Sequence, residues 1–240
     1  MPRNKITLYV DTVSPFAYIA YYVLRHHAVF QGCDVTYVPI FLGGLMKACG
    51  NTAPINITST REGPGTGREP ADRGAADKKA WINRNRQLWA DTLQVPIKKE
   101  LPDNFPPMTL GIMRQLAALD EADGRGRQQR LVQALDALFH DFWVEHRETH
   151  KPEVLGSLLG KVLGSDAAAT VAAEASGTGK AALLRNTDEA FAAGAFGLPW
   201  MVCTNAAGQT ESFWGVDHLG QVATFLGLKR PEAGGWKALL

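Results

Sequence analysis

The sequence predicts an α/β fold in which one sheet, built from both ends of the chain, is interrupted by a block of helices. Alternating apolar residues predict strands at 5–10 and 34–40. Strand patterns return only near the other end, at 199–204 and 210–214, on either side of a Gly-containing hairpin turn. The residues between these two groups carry helical spacing. A single interrupted sheet explains this order better than two separate sheets.

The first part of the chain reads as a strand, a helix and a second strand. An amphipathic run over 15–30 follows the first strand. Because a helical crossover joins the two strands, we expect them to pair in parallel. A short apolar helical piece begins at 43–46. Residues 52–74 are rich in Gly, Pro, Thr and Arg, which predicts a long surface loop.

Helical patterns then dominate the middle of the chain. The predicted helices are 75–93, 109–120, 127–145, 151–163, 167–175 and 179–193. A last helix is predicted at 217–226, ahead of a tail. Trp81, Trp89 and Trp143 are interpreted most simply as core residues of this block, although its aromatic side chains could also line a pocket.

The order βαβ followed by ββα is that of a thioredoxin-like domain. Such a fold places a cis-proline just before its third strand, where this chain has Phe196-Gly197-Leu198-Pro199. A cis X–Pro bond costs only about 0.5–1 kcal/mol relative to trans, so we expect a cis Leu198–Pro199 bond. The predicted parts are a thioredoxin-like domain at 1–56 and 192–228, an all-helical insertion at 57–191 and a C-terminal tail at 229–240.

Composition narrows the class of protein. A chain of 240 residues with 45% hydrophobic and 20% charged residues is typical of a soluble globular protein with a substantial core. The net charge of +1 gives no electrostatic reason to expect nucleic acid or an anionic membrane as a partner. No apolar run approaches the length of a membrane span. Because the first predicted strand begins at residue 5, we expect no signal peptide. We expect an intracellular protein, cytoplasmic in the first place, with mitochondrion or peroxisome as alternatives.

The cysteines and histidines suggest neither a disulfide framework nor a metal site. Cys33, Cys49 and Cys203 are too few and too scattered for either. Cys49 is interpreted as a buried, inert thiol, with mixed-disulfide formation as the alternative. His146 and His150 have the i, i+4 spacing that metals use, but no nearby third ligand is evident. We interpret these two histidines as solvated helix residues.

Ser14 and Pro15 stand where the first strand leads into the first helix. Serine is a preferred N-cap residue, and proline suits the first helical position because no partner is needed there for an N–H. The positive end of a helix favours a bound anion. If that anion is a thiolate, the Ser14 hydroxyl and the helix dipole both favour it over the thiol. An ordinary helix cap is the alternative interpretation.

Four segments in chain order resemble the kappa-class glutathione transferases. They are Asp11-Thr12-Val13-Ser14-Pro15-Phe16, Gly44-Leu45-Met46-Lys47-Ala48-Cys49-Gly50-Asn51, Gly194-Ala195-Phe196-Gly197-Leu198-Pro199 and Phe213-Trp214-Gly215-Val216-Asp217. The helical middle resembles that family in pattern only. Bacterial 2-hydroxychromene-2-carboxylate isomerases look like near relatives with the same serine. Dsb-type disulfide oxidoreductases share the architecture but carry Cys-x-x-Cys at the helix start. Dithiol exchange is excluded at Ser14-Pro15-Phe16-Ala17 because no thiol stands there.

The resemblance implies that glutathione binds at the start of the first helix. Ser14 would be the catalytic residue, since it would hydrogen-bond the glutathione sulfur and hold it as thiolate. Phe16, after Pro15, would line the surroundings of the sulfur. Leu198, ahead of the cis-Pro199, would pair its backbone N–H and C=O with the cysteinyl unit.

The resemblance also implies contacts for both ends of the tripeptide. Asp217 would take the γ-glutamyl ammonium, and the N–H groups of Val216 and Asp217 would take the γ-glutamyl carboxylate. Asn51 would contact the glycyl end, and Lys79, preferred over the lysine before it, would offer charge to the glycyl carboxylate. Where the family tends to have Ser-Asp-Arg, this chain has Val216-Asp217-His218. An always-charged guanidinium is thereby replaced by an imidazole, so we expect weaker or more pH-dependent glutathione binding than in the family.

Glutathione transfer is therefore the predicted function, in which the thiolate attacks a small hydrophobic electrophile and no metal takes part. Such a reaction would suit detoxification. A glutathione-dependent isomerase of the 2-hydroxychromene-2-carboxylate type is one alternative. A non-catalytic thioredoxin-like protein that binds glutathione or a peptide is the other. By resemblance we expect a homodimer, with neither nucleic acid nor membrane as a partner.

Overall fold

A four-stranded sheet joins the two ends of the chain in this computed structural model, which describes residues 3–51 and 70–229, with the backbone alone at 70–77. The strands are β1 (Lys5–Val10), β2 (Asp34–Pro39), β3 (Trp200–Thr204) and β4 (Thr210–Trp214), in the order β2-β1-β3-β4. β1 and β2 pair in parallel, whereas β3 runs antiparallel to both β1 and β4. The prediction of one sheet built from both ends is confirmed.

Helices fill the rest of the described chain. They are α1 (Pro15–His26), α2 (Leu42–Ala48), α3 (Pro70–Thr92), α4 (Leu110–Asp123), α5 (Gln129–Trp143), α6 (Pro152–Leu163), α7 (Ser165–Glu174), α8 (Thr178–Ala192) and α9 (Leu219–Phe225). Two predicted helices are each divided into an α-helix and a short 3-10 helix. α1 ends at His26 because His27 is extended, and the 3-10 helix Ala28–Phe30 follows. Another 3-10 helix, Val216–His218, precedes α9.

The predicted surface loop at 52–74 is wrong at its end. Residues 70–74 belong to α3, which begins at Pro70. A proline is well tolerated in the first turn of a helix, so this residue starts α3 instead of prolonging the loop. The remainder of the predicted loop, 52–69, lies outside the described residues.

Helices cover both faces of the sheet. On one face, Ile6 and Leu8 of β1 enter a large apolar core that includes residues of α1, α4 and α5. On the other face, Tyr9 and Trp200 belong to a smaller core to which α2 and α8 contribute. The large core thus runs from the sheet into the helical block, and the domain boundaries given above remain a prediction.

The three tryptophans of the helical block differ in burial. Trp143, at the end of α5, is fully buried, as predicted for a core residue. Trp89 is half-buried against the large core. Trp81 is 63% exposed, so its prediction as a core residue is wrong. The buried face of α3 contains Arg86 and Ala90, and Trp81 lies five residues before Arg86, about 140° around the helix.

His146 and His150 are not on a helix. α5 ends at Trp143, and His146 has a left-handed φ of 59°. Both histidines are half-buried, so their interpretation as solvated helix residues is wrong. Within residues 3–51 and 70–229, no three His, Cys, Asp or Glu side chains form a group that could hold a metal ion. No helix in the same residues is both long and apolar enough to cross a membrane.

Arg86 is a buried charged residue that ties α3 to two other segments. Its guanidinium donates hydrogen bonds to the carbonyls of Lys98 (2.8 Å) and Lys99 (2.6 Å) and to Asn83 Oδ1 (2.8 Å). The guanidinium carbon lies 5.8 Å from the ring centroid of Trp143. Burial lowers the pKa of Arg86, and these acceptors compensate the buried charge.

The turn after β4 requires a glycine. Gly215 has φ +90°, and a Cβ at this position would overlap a carboxylate oxygen of Asp217. Gly208, in the β3–β4 hairpin, has φ +81°, but nothing lies within 4 Å of its Cβ position. Both glycines adopt a backbone conformation that L side chains rarely adopt, and the ψ of 157° at Gly215 lies in a region that is essentially restricted to glycine.

We predict that Arg86→Met lowers the free energy of unfolding by about 2–4 kcal/mol, because methionine donates none of these hydrogen bonds. Arg84→Met, at an exposed position of the same helix, is the control and should change it by less than about 0.5 kcal/mol. Urea unfolding of both variants gives the comparison. Equal stability of the two variants would contradict this role for Arg86.

We predict that Gly208→Ala costs about 1 kcal/mol, as expected for a left-handed non-glycine residue. Gly215→Ala should cost clearly more, since a φ of 90° with a ψ of 157° is essentially restricted to glycine. The exposed Asp217 side chain can turn away from the new methyl group. Thermal unfolding of the two variants gives the comparison, and equal costs would contradict the stronger backbone restriction at Gly215.

Candidate active site

Ser14 caps α1 directly after the turn that follows β1. Its backbone is extended (φ −86°, ψ 115°), its Oγ accepts the N–H of Ala17 at 3.2 Å, and Pro15 is the first helical residue. The helix cap predicted from sequence is therefore confirmed. Ser14 is 5% exposed, and its hydroxyl hydrogen has no acceptor in the described part of the chain. The hydroxyl can thus donate to a ligand at the positive end of a 12-residue helix.

Asp11 holds this turn from inside. Its backbone carbonyl accepts the N–H of Ser14 at 3.1 Å. Its carboxylate accepts the N–H of Val13 at 3.2 Å and the N–H of Leu42, the first residue of α2, at 2.9 Å. Burial raises the pKa of Asp11 to about 6, although both N–H groups and the Thr109 hydroxyl favour the charged form. Asp11 is therefore ionised at neutral pH while fully buried.

The helical block also contacts the turn through Thr12. The indole Nε1 of Trp143 donates to the Thr12 carbonyl at 3.0 Å. The Thr12 hydroxyl donates a long hydrogen bond, 3.9 Å, to the Met113 sulfur. Helices α4 and α5 thereby fix the turn that precedes Ser14.

The cis-proline loop lies opposite this turn. The Leu198–Pro199 bond is cis, as predicted, and the Pro199 carbonyl accepts the N–H of Gly215 at 3.1 Å. Continuing the antiparallel register of Tyr9 with Trp200 by two residues places Leu198 opposite Asp11. Neither the N–H nor the C=O of Leu198 has a hydrogen-bond partner within residues 3–51 and 70–229. Leu198 thus offers a free backbone edge to an extended peptide.

The segment after β4 completes this end of the sheet. Continuing the β3–β4 register places Val216 opposite Leu198. Val216 is buried and Asp217 is exposed, with a carboxylate oxygen 3.4 Å from Nδ1 of His218. Because Val216 and Asp217 begin a short helix, their N–H groups have no acceptor within it.

Asn51 ties the end of α2 to the cis-proline loop. Its side-chain amide donates to the Phe196 carbonyl at 3.0 Å, and its backbone N–H donates to the Met46 carbonyl at 2.8 Å. Cys49 is half-buried, not buried as interpreted from sequence, since it lies at the C-terminal cap of α2. Its thiol donates to the Leu45 carbonyl at 3.2 Å.

The remaining predicted residues differ in burial. Pro15 and Phe16 are half-buried, and Phe16 packs against the large core. Lys79 and the adjacent Lys78 are both exposed on α3. In the described part of the chain, neither lysine forms a hydrogen bond or ion pair with Ser14, Leu198 or their neighbours. The structure therefore brings together Ser14, Leu198, Val216 and the Asn51 segment, whereas no hydrogen bond or ion pair in the described part of the chain links Lys79 to them.

Several residues that hold the turn before Ser14 were not assigned that role from sequence. Asp11, and Trp143, which was interpreted as a core residue, are the clearest. The signal for Asp11 was available, because an acidic residue directly after an apolar strand is unusual unless it is paired. Phe196 and Trp214 form an exposed aromatic pair beside the cis-proline loop, with ring centroids 4.8 Å apart.

Comparisons with known proteins agree with this architecture. A family model described as a DsbA-like thioredoxin domain matches residues 5–227. Glutathione S-transferase kappa 1 of Caenorhabditis elegans is 23% identical over 242 residues, covering 96% of this chain and 95% of the relative. A 2-hydroxychromene-2-carboxylate isomerase of Sphingobium xenophagum is 26% identical over 224 residues, covering 92% and 97%.

A solved structure is similar over almost the same extent. The structure of a 2-hydroxychromene-2-carboxylate isomerase has a TM-score of 0.69 at 22% identity, covering 93% of this chain and 94% of that one. At this identity the likeness concerns the fold, and it confirms the thioredoxin-like architecture expected from the strand order. With the family model matching nearly the whole described chain, this protein belongs to the family of DsbA-like thioredoxin domains.

Proposed function

We propose that this protein is a glutathione transferase of the kappa type, which joins the thiolate of glutathione to small hydrophobic electrophiles. One observation carries the proposal: the free hydroxyl hydrogen of Ser14, at the N-terminus of α1, lies at the same end of the sheet as the unpaired backbone of Leu198. A relative named as a kappa-class transferase and a relative named as an isomerase both match over more than nine-tenths of the chain.

The chemistry asked of Ser14 is stabilisation of a thiolate. Its Oγ already accepts the N–H of Ala17, which leaves the hydroxyl hydrogen for the sulfur. Helix N-termini and nearby donors lower thiol pKa values from about 8.5 to as low as about 3.5. A shift of two pKa units corresponds to about 2.7 kcal/mol. Since enzymes lower barriers by about 8 kcal/mol or more, positioning of the electrophile must supply much of the remainder.

The free backbone at Leu198 suits the cysteinyl unit of glutathione, which would add to the sheet edge as a short strand. The N–H groups of Val216 and Asp217 would receive the γ-glutamyl carboxylate, and the Asp217 carboxylate its ammonium. His218 changes this subsite, because its Nδ1 lies 3.4 Å from the Asp217 carboxylate. His218 would therefore compete with the ammonium for the Asp217 carboxylate.

Asn51 and Lys79 would receive the glycyl end. One N–H of the Asn51 amide is used by the Phe196 carbonyl, which leaves the second N–H for the glycyl carboxylate. Lys79 is exposed and able to contribute charge from α3. The electrophile would lie beside Phe16, whose ring is half-buried at the start of α1. We also propose the homodimer expected from the resemblance and the intracellular location expected from the sequence.

We predict that Ser14→Ala lowers kcat/KM with an activated aryl halide by about 10- to 100-fold, the loss of one hydrogen bond to a charged group. The ultraviolet absorbance of bound thiolate at neutral pH should fall with it. The lost cap costs about 1 kcal/mol of stability, so circular dichroism must show a folded variant. Ser14→Thr keeps a hydroxyl and a cap and should retain most of the activity. If Ser14→Ala is folded and its kcat/KM equals that of the parent, Ser14 does not stabilise the thiolate.

A glutathione-dependent isomerase is the second candidate. The 26% identity to the Sphingobium xenophagum isomerase over 92% of this chain favours it. In such a reaction the thiolate adds to an unsaturated substrate, and the adduct collapses to a rearranged product. Glutathione leaves unchanged, so the same thiolate site serves both reactions.

Product analysis distinguishes these functions. We expect one glutathione to be consumed for each aryl halide converted, and no rearrangement of an unsaturated aromatic keto acid. A rearranged keto acid with the thiol concentration unchanged would identify an isomerase instead. Heat of glutathione binding in a calorimeter, with neither product formed, would indicate the non-catalytic binding protein.

A further inference from the structure

Asp11 is a buried carboxylate with contacts that reach both ends of the proposed glutathione site. It is fully buried, its carbonyl accepts the N–H of Ser14, and its two carboxylate oxygens accept the N–H groups of Val13 and Leu42. Val13 and Ser14 form the turn into α1, and Leu42 begins the helix that leads to Asn51. A single side chain therefore connects the sulfur end of the site with the segment proposed for the glycyl end.

An ionised carboxylate satisfies both N–H groups best. Each oxygen of the ionised Asp11 accepts one of them, at 3.2 and 2.9 Å. An asparagine at this position has one acceptor oxygen, and its NH2 group would face the second N–H. In a protonated aspartate, the oxygen that carries the hydrogen is a weaker acceptor than a carboxylate oxygen, so one of the two hydrogen bonds is weakened.

The protein does not gain stability from this charge. The groups that act on the Asp11 carboxyl, the N–H of Leu42, the Thr109 hydroxyl and the N–H of Val13, are all neutral, and burial raises its pKa to about 6. Because the folded pKa is raised, the folded state is most favoured when Asp11 is protonated. Its contribution to stability falls as the pH rises from about 4 to about 6. A residue kept at a cost to stability, next to Ser14, indicates a functional role.

We propose that Asp11 is the positioning residue for Ser14. Its ionised carboxylate closes the Val13–Ser14 turn and ties it to the start of α2, so that the Ser14 hydroxyl is aimed at the glutathione sulfur. The kinetic part of this inference rests on the proposed function, whereas the ordering of the turn does not.

The test compares Asp11→Asn with Asp120→Asn. Asp120 is a matched control, because it is also buried with its pKa raised by burial, but its partner is Gln128. In the ligand-free protein, amide hydrogen exchange of Val13, Ser14 and Leu42 should become about 10-fold faster in Asp11→Asn than in the parent, as for one lost hydrogen bond. Asp120→Asn should leave these three amides unchanged.

The second readout is kinetic. We expect Asp11→Asn to lower kcat/KM for glutathione by about 10-fold at pH 7.5 through misplacement of Ser14, with no matching loss of thermal stability. Below about pH 6, kcat/KM should fall more steeply in the parent than in Asp11→Asn, because protonation of the glutathione thiol lowers it in both. If the variant does not fold, the Val13 and Leu42 amide shifts of the parent should titrate with a midpoint near pH 6.

The outcomes separate this inference from the proposed function. The positioning role is overturned if the amide exchange rates of Val13, Ser14 and Leu42 are the same in Asp11→Asn as in the parent. If that variant does not fold, it is overturned when the amide shifts of the parent do not titrate near pH 6. It is also overturned if amide exchange becomes faster in Asp11→Asn while kcat/KM keeps its parental value. If the parent neither binds nor turns over glutathione, the proposed function fails, and the amide measurements alone decide whether Asp11 orders the turn.

Discussion

The antiparallel pairing of β1 with β3 is the constraint on which the candidate site depends. The two strands come from opposite ends of the chain, and Tyr9 pairs with Trp200. That register sets the turn before Ser14 opposite Leu198, and the β3–β4 pairing adds Val216 to the same end. A helix N-terminus and a free backbone edge therefore meet there. The helical block can be inserted between these strands because it leaves their pairing intact.

The helical block is more than a cover for the sheet. Trp143 donates to the Thr12 carbonyl, and Arg86 lies over the same indole ring. Stability and site geometry are thereby linked, since the contacts that pack α3 and α5 also hold the turn that carries Ser14. Asp11 is different, because its burial costs free energy while its hydrogen bonds shape the turn. Residues that cost stability but hold a required geometry are common at functional sites.

Local signals made much of this predictable. Ser14 before Pro15 is sufficient to predict the cap, and strand periodicity is sufficient for β1 and β4. Features that depend on distant segments were not predictable in the same way. The exposure of Trp81 follows from which face of α3 meets the core, and the burial of Asp11 follows from α2 and α4. The position of Lys79 relative to Ser14 likewise depends on the path of α3. The sequence therefore supported only a preference for Lys79 over Lys78.

The crystal structure of this protein with bound glutathione tests the central claim most directly. We expect the sulfur within hydrogen-bonding distance of Ser14 Oγ, at the start of α1. The cysteinyl backbone should pair with the N–H and C=O of Leu198. Glutathione bound with its sulfur away from Ser14, or with Leu198 still unpaired, would contradict the account. The DsbA-like thioredoxin fold would stand in either case, because it rests on the strand order and the family match.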